Sequence, residues 1–342
     1  MNIVVLCAGT STEREVSIKS GYNVCEALRT KGHNAVMVDV FKGTDADVFE
    51  KAANNYDLEN ERDIISSFSE KVPELVKTRR EFFGENVLEV CKKADIVFMA
   101  LHGENGENGK CQAAFDLFGI KYTGSGYLAS AIGMDKGLTK QVFKSQNVPT
   151  AKSVWIYKGD STDLSDYSLK IPVVVKACNG GSSVGVVLVK TEEEYQAAIA
   201  ECYKYDDKIL IEEYIEGREF SVGVVNNKAL PIVEIIVNSG WYDYKNKYLP
   251  GATSDECPAN LTKEQTEKMQ KIAEDASSAI GCSPYVRVDI MMDKDDNMYC
   301  LEVNTLPGMT ATSLIPQEAQ AIGMDFPSLC EYLVNLSLEK YN

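Results

Sequence analysis

Apolar positions recur along this chain in two rhythms, one of strands and one of helices. IVVLC (3–7) is a short apolar run closed by a Gly/Ser/Thr turn, after which Ile18, Tyr22, Cys25 and Leu28 repeat on one helical face. Gly32 ends that helix and NAVMVDV resumes as a strand, so residues 3–40 read as a βαβ unit. Residues 41–93 are polar and charged, with helix-permissive stretches such as SFSEKVPELVKTRREFF. They read as a solvated helical insertion to which no function is assigned. DIVFMAL (95–101) returns as a buried strand, and AAFDLFG and LASAIGMDKGLTKQVFKSQ read as helical.

PVVVKAC (172–178), VGVVLV (184–189), ILIEEY (209–214), FSVGVV (220–225) and PIVEIIV (231–237) then read as strands with one helix among them, at 191–205. This strand-rich order departs from the regular alternation of a doubly wound sheet. After a loop at 239–260, Thr262 and Gln265 have the spacing of a capping box. The helix it starts should bury Met269, Ile272, Ala273, Ala276 and Ile280.

Polar residues interrupt the next two apolar runs, 286–292 and 298–304. If Lys294–Asp295–Asp296–Asn297 turns them into an antiparallel pair, facing residues have numbers that add to 591. Arg287 then faces Asn304 and Asp289 faces Glu302, and alternation sends all four side chains to one face. A register slip of one would break the arrangement. Two carboxylates and an amide oxygen make a hard-oxygen site suited to Mg²⁺ or Mn²⁺ rather than zinc. Arg287 adds the fixed positive charge used on transferring phosphoryl groups. The same residues would also suit an ion-pair ladder on a solvated sheet face; the LPGMT turn that follows, with its exposed N–H groups, favours a site.

Composition narrows the function classes. A length of 342 residues suits two or three compact units, at about 100–200 residues each. The net charge of −16 argues against a nucleic-acid or anionic-membrane surface, but a divalent cation can still mediate between acidic groups and a polyphosphate. The ten cysteines form no CxxC, which points to reduced thiols in a cytoplasmic chain. No apolar run reaches the ~18 residues of a membrane span, and MNIVVLCAGTS lacks a basic signal-peptide start.

NGGSSVG (179–185) joins two apolar strands and can form either a nest for phosphate oxygens or a plain hairpin turn. Lys176 just before it is a strand-edge residue or a ligand clamp, and Lys136 on its own reads as a helix-surface charge. Glu212 and Glu219 flank a turn where they would either solvate an edge or accept from adenine and ribose. His33 reads as a surface residue, whereas His102 ends a buried strand beside a Gly-rich loop.

Taken in order, GTSTEREVS, LHGENGENGKCQ, YTGSG, MDK, VKACNGGSSVG, EEYIEGREFSV, YDYKNKY, RVD and LEVNTLPGMTATSLIP resemble the ATP-grasp superfamily and, within it, the D-alanine–D-alanine ligase family. The resemblance spans nearly the whole chain. It implies an α/β (α+β) three-domain ATP-grasp fold. A Rossmann-like substrate domain would cover 1–106, and central (107–216) and C-terminal (217–342) domains would clamp ATP between antiparallel sheets, with a mobile lid at about 239–260. It also implies two Mg²⁺ (or Mn²⁺) held by Asp289, Glu302 and Asn304, with Lys136, Lys176, Ser182 and Ser183 on the phosphates. Glu212, Glu213 and Ile215 would read adenine, and Glu219 the ribose. Glu13 would bind the first D-alanine ammonium with His102 nearby, and Arg287 and the Gly308 N–H would stabilise the oxyanion. Ser313, Leu314 and Lys247 would meet the second amino acid, and Tyr248 would reach Ser182 and Glu107. The implied reaction makes D-alanyl-D-alanine through an acyl phosphate, in a homodimer, for peptidoglycan.

The pattern departs from the family at Asn108, Ala113 and Ala177–Cys178, near Glu107 and the phosphate loop. Three other readings compete. A D-serine or D-lactate ligase shares most motifs, although the Lys247–Tyr248 pair disfavours lactate. A nucleotide-binding regulatory module would have no need of Arg287 beside the acids. An NAD-dependent dehydrogenase would need a GxGxxG fingerprint that is absent.

Overall fold

A computed structural model describes residues 1–181, 184–237 and 253–342. Its strands are β1 (Asn2–Cys7), β2 (Asn34–Asp39), β3 (Ile96–Met99), β4 (Ser153–Tyr157), β5 (Val173–Ala177), β6 (Val186–Val189), β7 (Lys208–Glu213), β8 (Gly217–Val225), β9 (Lys228–Ala229), β10 (Val233–Val237), β11 (Thr253–Glu256), β12 (Tyr285–Asp293) and β13 (Met298–Asn304). The chain forms two compact units. One comprises 1–130, 282–286 and 305–342, the other 131–281 and 287–304. This differs from the expected division at 106 and 216. The central and C-terminal strand sets fall in one unit, and the chain beyond Asn304 belongs with the N-terminal βαβ segment.

The first unit holds a parallel sheet in the order β2-β1-β3. Ile3 to Cys7 are all buried, as the continuous apolar run requires of a strand covered on both faces. The helix Arg14–Thr30 crosses between β1 and β2 and buries Ile18, Cys25 and Leu28. Tyr22, placed on the same face by its spacing, is instead half-buried under the Arg62 guanidinium, 5.1 Å from its ring. Gly21 permits the close approach to β1, since a Cβ there would meet the Cys7 Cβ at 2.6 Å.

The 41–93 segment is helical as expected, with helices at Val48–Asn54, Leu58–Phe68, Val72–Thr78 and Val87–Lys93. It is more than an excursion. Arg14, buried, donates to Gly9 O at 2.6 Å, Asp39 Oδ2 at 2.6 Å, Ser69 Oγ at 2.9 Å and Ile65 O at 3.2 Å. One guanidinium therefore ties the insertion to the turn that carries Glu13.

The second unit holds two sheets among the described residues, a four-stranded one in the order β4-β7-β5-β6 and a six-stranded one in the order β11-β10-β8-β12-β13 with β9 on β8. Strand β4 runs antiparallel to β7, β5 to both β6 and β7, and β12 to β13. Strand β11 occupies part of the stretch read from sequence as a loop at 239–260; its exposed side chains carry no apolar rhythm. The lid expected over 239–260 otherwise falls largely outside the described residues. The helical run read at 128–146 is two helices, Tyr127–Met134 and Lys136–Ser145, broken where Asp135 caps the second by accepting from Leu138 N.

The Thr262 capping box is present, and Met269, Ile272, Ala273, Ala276 and Ile280 are all buried. Thr262→Ala should lower the unfolding free energy by about 1 kcal/mol, read from the urea midpoint with activity retained. All ten cysteines are free thiols, nine of them buried.

Candidate active site

The hairpin of β12 and β13 pairs Arg287 with Asn304, Val288 with Val303 and Asp289 with Glu302. The expected sum of 591 holds at these pairs, but a β-bulge beyond Asp289 changes it to 590 nearer the turn, where Ile290 faces Cys300 and Met292 faces Met298. Leu301 is the extra residue. Had the turn's register run on unbroken, Glu302 would face Val288 and point into the core with it. The bulge instead lets both Leu301 and Glu302 line the cavity beside Asp289.

That cavity, about 350 Å³, lies wholly in the second unit; its charged lining comprises Lys136, Lys176 and Arg218 with Glu212, Glu213, Glu219, Glu234, Asp289 and Glu302. Strand alternation explains the far wall. Val174 pairs with Glu212 and Lys176 with Leu210, so Lys176 and Glu212 share the cavity face. Val173, Val175, Ile209 and Ile211 turn the other way into an apolar core.

Lys136 opens its helix beside the loop after β5. Its N–H donates to Cys178 O at 3.0 Å and its Nζ to Gly180 O at 2.6 Å. The same Nζ lies 3.7 Å from Glu302 Oε2. Arg287 grips Asp289 with a two-pronged fork, Nε to Oδ1 at 2.8 Å and Nη2 to Oδ2 at 2.7 Å. Glu212, 2% exposed, pairs through Oε1 with Lys176 and through Oε2 with Lys140 at 2.9 Å. Burial would raise this carboxyl, but the two lysines outweigh it and bring it down to about 2. Burial lowers Lys140; it also pulls Lys176 down, but Glu212, with Glu302 and Glu219, outweighs it and holds Lys176 above the usual lysine range.

Lysines and carboxylates that line one cavity of nucleotide size are what a polyphosphate and its counter-ions require. The comparisons with known proteins point the same way. Residues 142–335 match the model of the D-ala D-ala ligase C-terminus and residues 2–125 that of the N-terminus. The chain belongs to the D-alanine–D-alanine ligase family.

It is 42% identical to the D-alanine–D-alanine ligase of Pediococcus pentosaceus, over 98% of this chain and 97% of that one. With the Lacticaseibacillus casei enzyme it shares 41% identity over 100% and 97%. The crystal structure of the Bacillus anthracis ligase superposes with a TM-score of 0.77 at 30% identity, covering 99% of this chain and 98% of that one. The structure of that ligase complexed with ATP gives 0.76 at 28%, over 99% and 98%. The ATP-grasp fold expected for the family is therefore present.

The family's remaining expected residues divide between the two units. In the second, Ile215 and Glu213 join Glu219 on the cavity lining, and Asn304 is half-buried opposite Arg287. In the first, Glu13, His102 and Glu107 converge. Ser11 Oγ donates to His102 O at 2.6 Å and accepts from Glu13 N at 3.2 Å. The buried His102 ring meets Ser20 Oγ at 3.0 Å and has Glu107 Oε1 3.7 Å from Nδ1. Gly103 sits at φ +75°, where a side chain is strained, and a Cβ there would meet Ser11 Cβ at 2.9 Å with Glu13 Oε2 at 3.0 Å. Gly308 sits against Ser313, whose Oγ accepts from Thr310 N at 3.0 Å, and Leu314 begins the helix after it. Ser182, Ser183, Lys247 and Tyr248 lie outside the described residues.

Lys140 was not picked out from the sequence. Its one signal is its place four residues after Lys136, which puts both on one helical face. His33, read as a surface residue, is half-buried with Nε2 3.2 Å from Glu331 Oε1.

Proposed function

We propose that this chain joins two D-alanines at the expense of ATP, through a D-alanyl phosphate, to supply D-alanyl-D-alanine for peptidoglycan. The observation that carries the reading is Asp289 opposite Glu302 on the cavity face of a bulged hairpin, across from Lys136 and Lys176. The donor set fits two Mg²⁺ or Mn²⁺ held by Asp289, Glu302 and Asn304. An ionised carboxylate offers about four lone-pair sites, and the Arg287 fork occupies only two of those on Asp289. Such ions, when bound, would neutralise the triphosphate and polarise its terminal phosphoryl group.

The chain's own groups do the rest. Lys136 and Lys176 bring two ammonium charges to the phosphates, and Ser182 and Ser183 complete the phosphate loop. Glu212, Glu213 and Ile215 face the adenine and Glu219 the ribose. Glu13, with His102, holds the ammonium of the first D-alanine while its carboxylate oxygen attacks the γ-phosphorus and ADP leaves. The second D-alanine, held by Ser313, Leu314 and Lys247, then attacks the acyl carbon through its amine, which loses a proton as phosphate departs. Arg287 and the Gly308 N–H stabilise the oxyanion of the tetrahedral intermediate, and Tyr248 closes the site. Use of ATP and nine buried free thiols suit a cytoplasmic enzyme. A homodimer belongs to the same proposal, with Leu117 at 88% exposure and Leu128 at 59% offering apolar side chains to a second copy.

ADP release by the purified protein should require both D-alanine and Mg²⁺. D-Alanine labelled with ¹⁸O in its carboxylate should pass one label to the phosphate released. ADP release indifferent to D-alanine, or unlabelled phosphate, would refute the reading. Product analysis with D-serine and D-lactate as competitors identifies the second substrate.

A further inference from the structure

Lys140 is a lysine with no route to a ligand. It is 1% exposed, and its ammonium makes two hydrogen bonds and one ion-pair contact, all within the second unit. Nζ meets Glu212 Oε2 at 2.9 Å, Thr150 Oγ1 at 2.6 Å and Cys300 O at 3.1 Å. Thr150 Oγ1 passes its own hydrogen on to Cys300 O at 2.8 Å, closing a triangle of ammonium, hydroxyl and carbonyl. Cys300 N donates to Pro149 O at 2.8 Å, so both backbone groups of Cys300 are held by the 149–150 segment and Lys140.

The partners lie at informative places. Glu212 is on β7 and its other oxygen holds Lys176, which lines the cavity. Cys300 is on β13, immediately before the bulged Leu301 and two residues before Glu302. A single buried ammonium therefore touches the four-stranded sheet and the six-stranded one, next to the phosphate lysine on one and next to the bulge that aims Glu302 on the other.

We propose that Lys140 is a positioning residue that fixes Lys176, through Glu212, and Glu302, through the Cys300 carbonyl at the bulge, in one mutual geometry. Lys140 touches neither nucleotide nor metal. It supplies charge to a carboxylate that would otherwise draw Lys176 alone, and it pins the carbonyl that sets where the bulge falls. The inference rests on the assignment of Glu302 as a metal ligand and Lys176 as a phosphate contact.

Two substitutions test it. Lys140→Met keeps length and bulk but removes both arms. Thr150→Val removes the hydroxyl that braces Cys300 and accepts from Lys140, and leaves the Lys140–Glu212 ion pair in place. Three quantities are read in each: ADP affinity without metal, Mn²⁺ affinity of the ADP complex by electron paramagnetic resonance, and the KM for D-alanine. Lys140→Met should weaken both ADP and Mn²⁺ binding by about 10–100-fold, the range found when outer-shell partners of metal ligands are removed. Thr150→Val should weaken Mn²⁺ and leave metal-free ADP binding within about twofold, since Lys140 keeps its ion pair with Glu212. Lys140→Arg should recover part of the loss.

A purely structural lysine would lower the folded fraction and kcat while leaving both affinities and the KM for D-alanine unchanged. That outcome in folded Lys140→Met overturns the proposal. If Lys140→Met does not fold, unchanged Mn²⁺ affinity in Thr150→Val overturns it instead. Absence of D-alanine-dependent ADP release in the wild-type protein refutes the ligase reading rather than this one.

Discussion

Glu302→Gln should reduce D-alanine-dependent ADP release by about a thousandfold, a loss in the range seen when a single transition-state charge contact is removed. The substitution keeps the side chain's shape and its place beside Leu301 but withdraws the charge that faces Asp289 and lies 3.7 Å from Lys136 Nζ. Nucleotide held by the lysines alone should still bind, so ADP affinity without metal serves as the control for folding. Raising Mg²⁺ should recover little, because the lost group is a ligand and its amide replacement carries no charge. Turnover within tenfold of wild type would show that the hairpin is not where the ions sit.

The same hairpin shows how far residue patterns reach. Arg287, Asp289, Glu302 and Asn304 were legible as a one-faced set because alternation along strands is a rigid geometric rule. The bulge was not legible. Leu301 is an apolar residue in an apolar run, and the register near the turn is one unit away from the register at the acids. Pairing from the centre of the turn reached the right partners because it set the turn's register one unit off, and that one unit is what the extra residue adds.

Elsewhere the limits have local causes. The break at Asp135 escaped because apolar spacing continues through it, although an aspartate two residues after a glycine was a visible cap. Strand β11, TSDE, has no apolar face and forms only because β10 offers an edge. Lys140 escaped for a deeper reason. A lysine on a helix is read as solvated unless something shows that its partners come from strands 72 and 160 residues away, and spacing along one element cannot show that. The 41–93 helices were legible, but their bond through Arg14 to the Glu13 turn depends on the same kind of long-range meeting.

Arg287→Met should lower kcat by about a hundredfold or more, since an oxyanion contact of this kind contributes on that scale. It should also destabilise the protein by about 3 kcal/mol, because Asp289, with a side chain 8% exposed, loses both of its Arg287 hydrogen bonds. These two effects have different origins and can be separated. The double variant Arg287→Met/Asp289→Asn removes the stranded charge, so the urea midpoint should return most of the way to wild type. Its turnover should not return, because neither the guanidinium nor the carboxylate is restored. Arg287→Lys keeps the charge but replaces a planar fork with a single point donor, and it should remain well below wild type in kcat while unfolding nearly normally. If Arg287→Lys instead matches the wild-type kcat, charge alone suffices at this position and the geometry of the fork has no part in catalysis.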